Sequence, residues 1–177
     1  HLMSDFAEMR AIRLDPLWID AEVVRVGAVA VEIAPATGPA AARLAIPPYP
    51  KELESRVALA DGTDAVLRPI RPEDEPALQR FAQSLSAEDI RMRFFQPLRA
   101  LGHDFAARLT QIDYDRQMAL GLFPPDADDI LAVVRLAYEP AEDSGEFAIT
   151  VRSDLARHGI GRLMMERIIE YGRTIGL

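Results

Sequence analysis

The sequence predicts an α+β fold, a mixed and mostly antiparallel sheet flanked by helices, and three observations lead there. Short apolar runs bounded by turn residues recur along the chain. Amphipathic stripes of helical period lie between them. Near the C-terminal end a strand-like run, Glu146–Val151, passes through a glycine loop, Arg152–Gly161, into a long amphipathic helix.

Taken in order, His1-Leu2-Met3 reads as a cloning remnant and takes no part in the fold. Met9–Leu14 and Glu22–Ile33 are β-rich and predict one hairpin joined across residues 15–20, too small to hold a core of its own. Residues 34–52 read as a stiff, proline-rich linker, since extended prolines form neither helix nor ladder. The main domain is expected over residues 53–177. It opens with strands Glu54–Leu59 and Asp64–Ile70, and Asp61-Gly62 between them is a hairpin signal. Pro72 and the acids at 73 to 75 suit a helix N-terminus, and Leu78, Phe81, Ala82 and Leu85 form the stripe that follows.

Ser86 starts a second helix, and a third is expected from Asp104 to Gln111. His103 reads as a helix start, and Arg91, Arg93 and Arg99 read as makers of surface ion pairs. Strands Arg116–Phe123 and Ile130–Tyr138 flank an acidic turn, Asp126–Asp129. Its prolines and missing distal glutamate make it a solvated hairpin tip, not a calcium loop. The last helix carries Ile160, Leu163, Met164, Ile168, Tyr171 and Ile175 on one side, with Arg162 and Glu166 paired four residues apart on another.

Composition narrows the function. The chain is 49% hydrophobic and 27% charged, as in ordinary globular proteins. It has no cysteine, which excludes disulfides, cysteine metal sites and a thiol nucleophile. A net charge of −8 argues against nucleic acid, whose phosphates need a basic face, and suits a basic partner such as a lysine-bearing protein. No run approaches the ~20 apolar residues that span a bilayer, and no secretory signal opens the chain, so the expected place is the cytoplasm, away from membranes.

The segment Glu146–Gly161 carries the chemistry. A strand, a glycine loop and a helix aim several backbone N–H groups and the positive end of a helix dipole at one anion. Arg157 and Arg162 add charge, and His158 either contacts a phosphate or is simply an exposed loop histidine. A phosphate-bearing ligand is the natural occupant.

Ala156-Arg157-His158-Gly159-Ile160-Gly161 resembles the coenzyme A pyrophosphate loop of the GNAT N-acetyltransferases, Gln/Arg-x-x-Gly-x-Gly/Ala, with Ala156 at the usually polar first position. Arg68-Pro-Ile-Arg-Pro-Glu-Asp74, Arg93-Phe-Phe95 and Tyr114-Asp-Arg116 are similar to one branch, the Pat-type bacterial protein lysine acetyltransferases. In that branch the transferase is fused behind an NDP-forming acyl-CoA synthetase-like module. Met9-Arg-Ala-Ile-Arg-Leu-Asp-Pro-Leu17 resembles the closing strand of such a module's ATP-grasp domain, Asp-Ile-Asn-Pro-Leu. Arg13 replaces the acid there and Asp15 the asparagine, so a cation would repel the magnesium that nucleotide chemistry needs. Residues 1–33 would then be a β-rich remnant of that domain.

The resemblance implies acetyl-CoA as cosubstrate, no metal, and acetyl transfer to a protein lysine, with acyl-CoA synthetases as targets. Residues 156–162 would grip the pyrophosphate. The strand around Ile149, Thr150 and Val151 would pair with the pantetheine arm as an added strand pairs with an edge. Glu146, at the family's Glu-Phe-Ala position, would take the proton from the incoming amine, as a carboxylate in a partly apolar site is suited to do. An acyl-CoA sensor without catalysis, and a transferase acting on small amines, stay open beside it. The family's fold continues past the last helix with a strand, a helix and two strands that often supply a tyrosine general acid, so this chain reads as incomplete at its C-terminal end. An unpaired edge on the Glu146 strand is expected, and with it a homodimer.

Overall fold

The computed structural model describes residues 5–38, 40, 47–94, 100–139 and 144–177. The chain divides into two compact units, His1–Pro48 and Tyr49–Leu177.

The first unit is a bent antiparallel ribbon. Strand β1 (Met9–Leu14) pairs with β4 (Val29–Ile33), and β2 (Leu17–Ile19) pairs with β3 (Val24–Val26). The sequence places the connection across residues 15–20, and here the structure differs. Leu17-Trp18-Ile19 is itself a strand, as its aromatic and β-branched side chains favour. The turn lies further on, at Asp20–Val23, where the Asp20 carboxylate accepts the N–H groups of Glu22 and Val23 at 2.8 Å each. The Asp15–Pro16 peptide is cis. A two-stranded ribbon cannot cover its own apolar side chains, and Trp18 and Ile19 remain 56% and 71% exposed. Part of the proline-rich linker, residues 39 and 41–46, lies outside the described residues.

The second unit is built on a five-stranded antiparallel sheet in chain order: β5 (Ser55–Ala58), β6 (Asp64–Pro69), β7 (Gln117–Phe123), β8 (Ala132–Tyr138) and β9 (Gly145–Val151). Helices α1 (Glu75–Gln83), α2 (Ala87–Phe94) and α3 (His103–Thr110) come between β6 and β7, and α4 (Ile160–Thr174) follows β9. This is the α+β sheet with flanking helices that the sequence predicts.

Strand β7 is buried on both faces, which is why Met118-Ala-Leu-Gly-Leu-Phe123 reads as one apolar run. Met118, Leu120 and Leu122 pack with Val134, Leu136 and the α4 residues Ile160, Met164 and Ile168. Each of those three α4 side chains contributes roughly 1.5–3 kcal/mol by leaving water. Ala119 and Phe123 face the other way, onto Ile70, Leu78, Phe81 and Ala106. Gly121 is required there, because a Cβ would sit 2.6 Å from the Phe123 ring and 2.8 Å from Ile70 Cδ1. Ile175, expected on the buried stripe, is 37% exposed because α4 ends one residue earlier and the helical period no longer applies.

The acids at 73 to 75 do open α1, with Asp74 at its N-cap, and Asp74 is in addition buried, 5% exposed. Its oxygens accept two bonds of 2.7 Å from the Arg68 guanidinium, and Oδ2 also accepts the Arg71 N–H at 2.9 Å. The Arg68 guanidinium lies 3.8 Å from the Phe123 ring centroid. His103 does begin a helix, and its Nδ1 lies 2.6 Å from Glu75 Oε1. At the other end of the unit Ser86 caps α2. Its hydroxyl accepts the Asp89 N–H at 3.1 Å and donates to the Asp89 carboxylate at 2.7 Å.

Candidate active site

Among the described residues, strand β9 ends the sheet and is paired only with β8. Which backbone groups it leaves free follows from the alternation of an antiparallel ladder. The Arg152 N–H donates to the Leu131 carbonyl at 2.9 Å, so Arg152 faces β8. Counting back by twos, Thr150, Ala148 and Glu146 spend their backbone groups on β8. Phe147, Ile149 and Val151 turn theirs outward, along the open edge. Of the expected trio at residues 149–151, the backbone of Thr150 is therefore occupied. Its side chain is buried on the helix side of the strand instead.

The edge runs into a loop that prepares an anion site. Ser153–Leu155 forms one 3-10 turn, Ala156 is extended, and Arg157 and Gly159 both adopt left-handed backbone with φ of 67° and 79°. Only glycine adopts that conformation without strain, so Gly159 is the hinge at which the chain turns into α4. No side chain caps α4. The N–H groups of Ile160, Gly161 and Arg162, in its first turn, thus point out of the helix end unclaimed by a capping side chain. A Cβ on Gly161 would meet only Val151 Cγ2, at 3.8 Å, which leaves the main chain open to close approach.

Among the loop's charges, Arg162 is tied to Glu166 at 2.8 Å, as the four-residue spacing predicts. Arg157 makes no hydrogen bond or ion pair with a described residue. His158 is exposed, and nearby Asp61 and Asp154 are held low chiefly by hydrogen bonds from Thr63 and Arg152.

A cleft of ≈ 580 Å³ lies between α2 and the outer part of β9, with Asp89, Arg93, Glu146, Thr150, Ser153 and Ala156 on its walls. That size is usual for a small-molecule site. A clasp holds its α2 side. Ser153 Oγ donates to the Asp89 carboxylate and accepts the Ser86 N–H, the latter at 2.8 Å. Hydrogen bonds from Ser153, then from Ser86, hold the Asp89 carboxyl below the usual carboxylate range.

Glu146 stands at the mouth of this cleft, where β9 begins, and is exposed rather than sunk in a partly apolar site. It also borders a second, polar groove with Arg116, Tyr138 and Ser144. Arg93 is not one of the surface ion-pair makers the sequence suggests. It is half-buried, its guanidinium lies 5.1 Å from the Phe94 ring centroid, and Glu146 acts on its charge from beyond ion-pair distance. Arg99 lies outside the described residues.

The structure brings together Glu146, Thr150 and Ala156 on one cleft, with Gly159–Arg162 at the end of the adjoining loop. It adds four residues that the sequence reading did not single out for the site: Asp89 and Ser153 of the clasp, Arg135, and Arg93 as more than a surface cation. Arg135 left a signal, because it is the one charge in Ala132-Val-Val-Arg-Leu-Ala-Tyr138. A cation on an otherwise apolar inner strand needs a reason. Asp129 of the acidic turn pairs with Arg80 at 3.2 Å. No helix among the described residues is long and apolar enough to cross a membrane.

No protein-family model matches the chain. An acetyltransferase of Pseudomonas aeruginosa is 26% identical over 121 residues, which cover 67% of this chain and 65% of that protein. The chain thus spans a little under two thirds of that curated relative. Among solved structures, the GNAT domain of S. lividans PAT superposes with a TM-score of 0.68 at 27% identity, covering 73% of this chain and 77% of that one. A cAMP-binding acyltransferase from Mycobacterium smegmatis reaches a TM-score of 0.47 at 23% identity, covering 70% of this chain and 35% of that one. The sheet order, the glycine loop after β9 and the superposition together make the fold of this chain that of the GNAT acetyltransferases.

Proposed function

We propose that the unit Tyr49–Leu177 binds acetyl-CoA and transfers its acetyl group to the amine of a protein lysine, with an acyl-CoA synthetase as the substrate protein. The observation that carries this reading is the continuity of β9 with the loop. Outward backbone groups at Phe147, Ile149 and Val151 lead straight to the uncapped N-terminus of α4. An amide-rich pantetheine arm would pair along the edge, and the pyrophosphate would take the N–H groups of Ile160, Gly161 and Arg162. Arg157 would add charge from outside. A thioester carbonyl lying along the edge would be polarised by an outward N–H.

A lysine ammonium must first lose a proton. Glu146, exposed at the mouth and bordering both clefts, is placed to take it directly or through one water. The amine then attacks the carbonyl carbon, the tetrahedral intermediate collapses, and the thiolate leaves. Among the described residues we assign no acid for its protonation. The net charge of −8 suits a lysine-bearing partner. The resemblance to the Pat-type branch favours a protein substrate, and Met9–Leu17 supports a synthetase-like origin for the first unit. The test is transfer of labelled acetyl from acetyl-CoA to a purified acetyl-CoA synthetase. Label on a lysine supports the reading, and label appearing only on small amines redirects it.

A further inference from the structure

Behind the cleft, Arg135 is half-buried and meets no counterion among the described residues. It rises from β8 toward the helices, where one amino group donates to the Leu109 carbonyl and the other to Gln117 Oε1 at 3.3 Å. Both acceptors are neutral. Its Nε is buried and has no hydrogen-bond partner among the described residues. An unanswered buried cation is costly, since desolvation takes several kcal/mol that no opposite charge returns. A second guanidinium, Arg93, lines the same space and repels Arg135. Burial first, and then Arg93, pull Arg135 down to about 10.

The two arginines share a small cavity of ≈ 30 Å³, walled otherwise by Leu78, Phe81, Leu101 and Leu109. That is room for two or three waters or for one planar group of carboxylate size, and too little for a phosphate with its substituents. Arg93 and Thr150 line both this cavity and the larger cleft, so the two spaces adjoin.

We propose that Arg93 and Arg135 form a carboxylate pocket opening from the acyl-transfer cleft, so that the reaction uses a substrate carrying a carboxylate within a few bonds of the reacting group. A guanidinium fork matches a carboxylate bidentately, and the Nε of Arg135 is the donor such a bond would use. The carboxylate has two possible sources, the far end of a dicarboxylic acyl chain or the acceptor. Glu146 fits either, since it stands in the outer cleft with the opposite charge, where the amine would wait. This inference rests on the acyl-transfer reading above for its substrate, but the pocket itself does not need the cofactor.

Calorimetry on the chain tests it with two matched pairs of probes. One pair is S-(2-carboxyethyl)-coenzyme A against its uncharged amide. The other is L-lysine against lysinamide. One carboxylate member should bind about 10- to 100-fold tighter than its amide, and Arg135→Met and Arg93→Met should each erase that preference while leaving coenzyme A affinity unchanged. Preference in the first pair assigns the carboxylate to the acyl chain, and in the second to the acceptor. If neither pair discriminates, the pocket is overturned, whereas loss of coenzyme A binding itself would refute only the cofactor reading. A second readout is independent of every ligand. Arg135→Met removes a half-buried cation with no counterion among the described residues, so Tm should hold or rise; a fall of several degrees would make Arg135 a structural residue and overturn the proposal.

Discussion

Toward the β6 side of the sheet a buried arginine meets its acid; toward the β9 side a half-buried arginine on β8 faces another arginine. Arg68 and Arg135 lie on the same face of the same sheet, yet Arg68 closes on Asp74 with two 2.7 Å bonds and Arg135 keeps an orphaned Nε. The backbone repeats the contrast. β7 is paired on both sides, and β9 on one. So do the glycines: at Gly121 the missing Cβ is replaced by Phe123 and Ile70, and at Gly161 the space stays open. Polar groups that answer one another hold a fold together, and polar groups left unanswered side by side mark where something else is meant to bind. The β6 end is the first kind and the β9 end the second.

The contrast breaks most visibly at Asp74. Asp74→Ala would strand the buried Arg68 and should cost about 3–5 kcal/mol in urea or thermal unfolding. Set beside Arg135→Met, which should cost nothing, it separates an answered arginine from an unanswered one. Equal losses in the two variants would erase the distinction.

At the open end, the proposed base can be removed while its shape is kept. Glu146→Gln in the full-length protein should lower acetyl transfer at pH 7 by roughly 10²–10⁴-fold, with coenzyme A affinity preserved. Much of the rate should return as pH approaches the lysine value of ~10.4, where the amine is already neutral. Near-normal turnover at pH 7 would make Glu146 an ordinary surface carboxylate.

Core and site can also be uncoupled through α4, which belongs to both. Met164 is fully buried, and Met164→Ala should cost about 2–5 kcal/mol of stability. Coenzyme A affinity should stay within a few fold while the protein is folded, because the loop N–H groups are set by Gly159 and the first helical turn.

The smallest effect sharpens the role of the clasp. The Asp89 carboxyl sits below its ordinary value because Ser153 and Ser86 donate to it. A lowered folded value contributes stability above the unfolded value of ~3.9 and loses it as pH falls through the folded one. Asp89→Asn should therefore lower Tm slightly at pH 7, and the gap from the unmutated protein should close as pH drops below about 4. A gap that does not narrow at all as pH falls below about 4 would show that the clasp is not held by the ionised carboxylate.

Much of this architecture was written in local pattern. The order of strands and helices in the second unit, the Asp61-Gly62 hairpin and the Arg162–Glu166 pair follow from period, turn chemistry and spacing, which act over a few residues. The glycine loop was legible for the same reason. What stayed hidden depends on tertiary surroundings. Asp74 looks like any helix-opening acid until Phe123 and the sheet bury its arginine. Arg135 stands without an answering charge only because α1, α2 and α3, distant in sequence, wall the space around it. The short strand Leu17–Ile19 was missed because three residues beside a proline carry too little periodicity to outweigh a loop. Along β9, the sequence points to Ile149–Val151 as a block, but the ladder's alternation separates Thr150 from its neighbours.

That alternation offers the most direct test of the central claim, that the open edge and the uncapped helix end together hold coenzyme A. Amide hydrogen exchange, followed residue by residue by NMR with and without coenzyme A, reads each N–H separately. The N–H groups of Phe147, Ile149 and Val151, with those of Ile160, Gly161 and Arg162, should exchange quickly in the free protein and slow on binding. Those of Ala148 and Thr150, already spent on β8, should be protected in both states. Slowing spread evenly along β9, or protection that leaves both the edge and the α4 N-terminus unchanged while coenzyme A binds, would contradict the account.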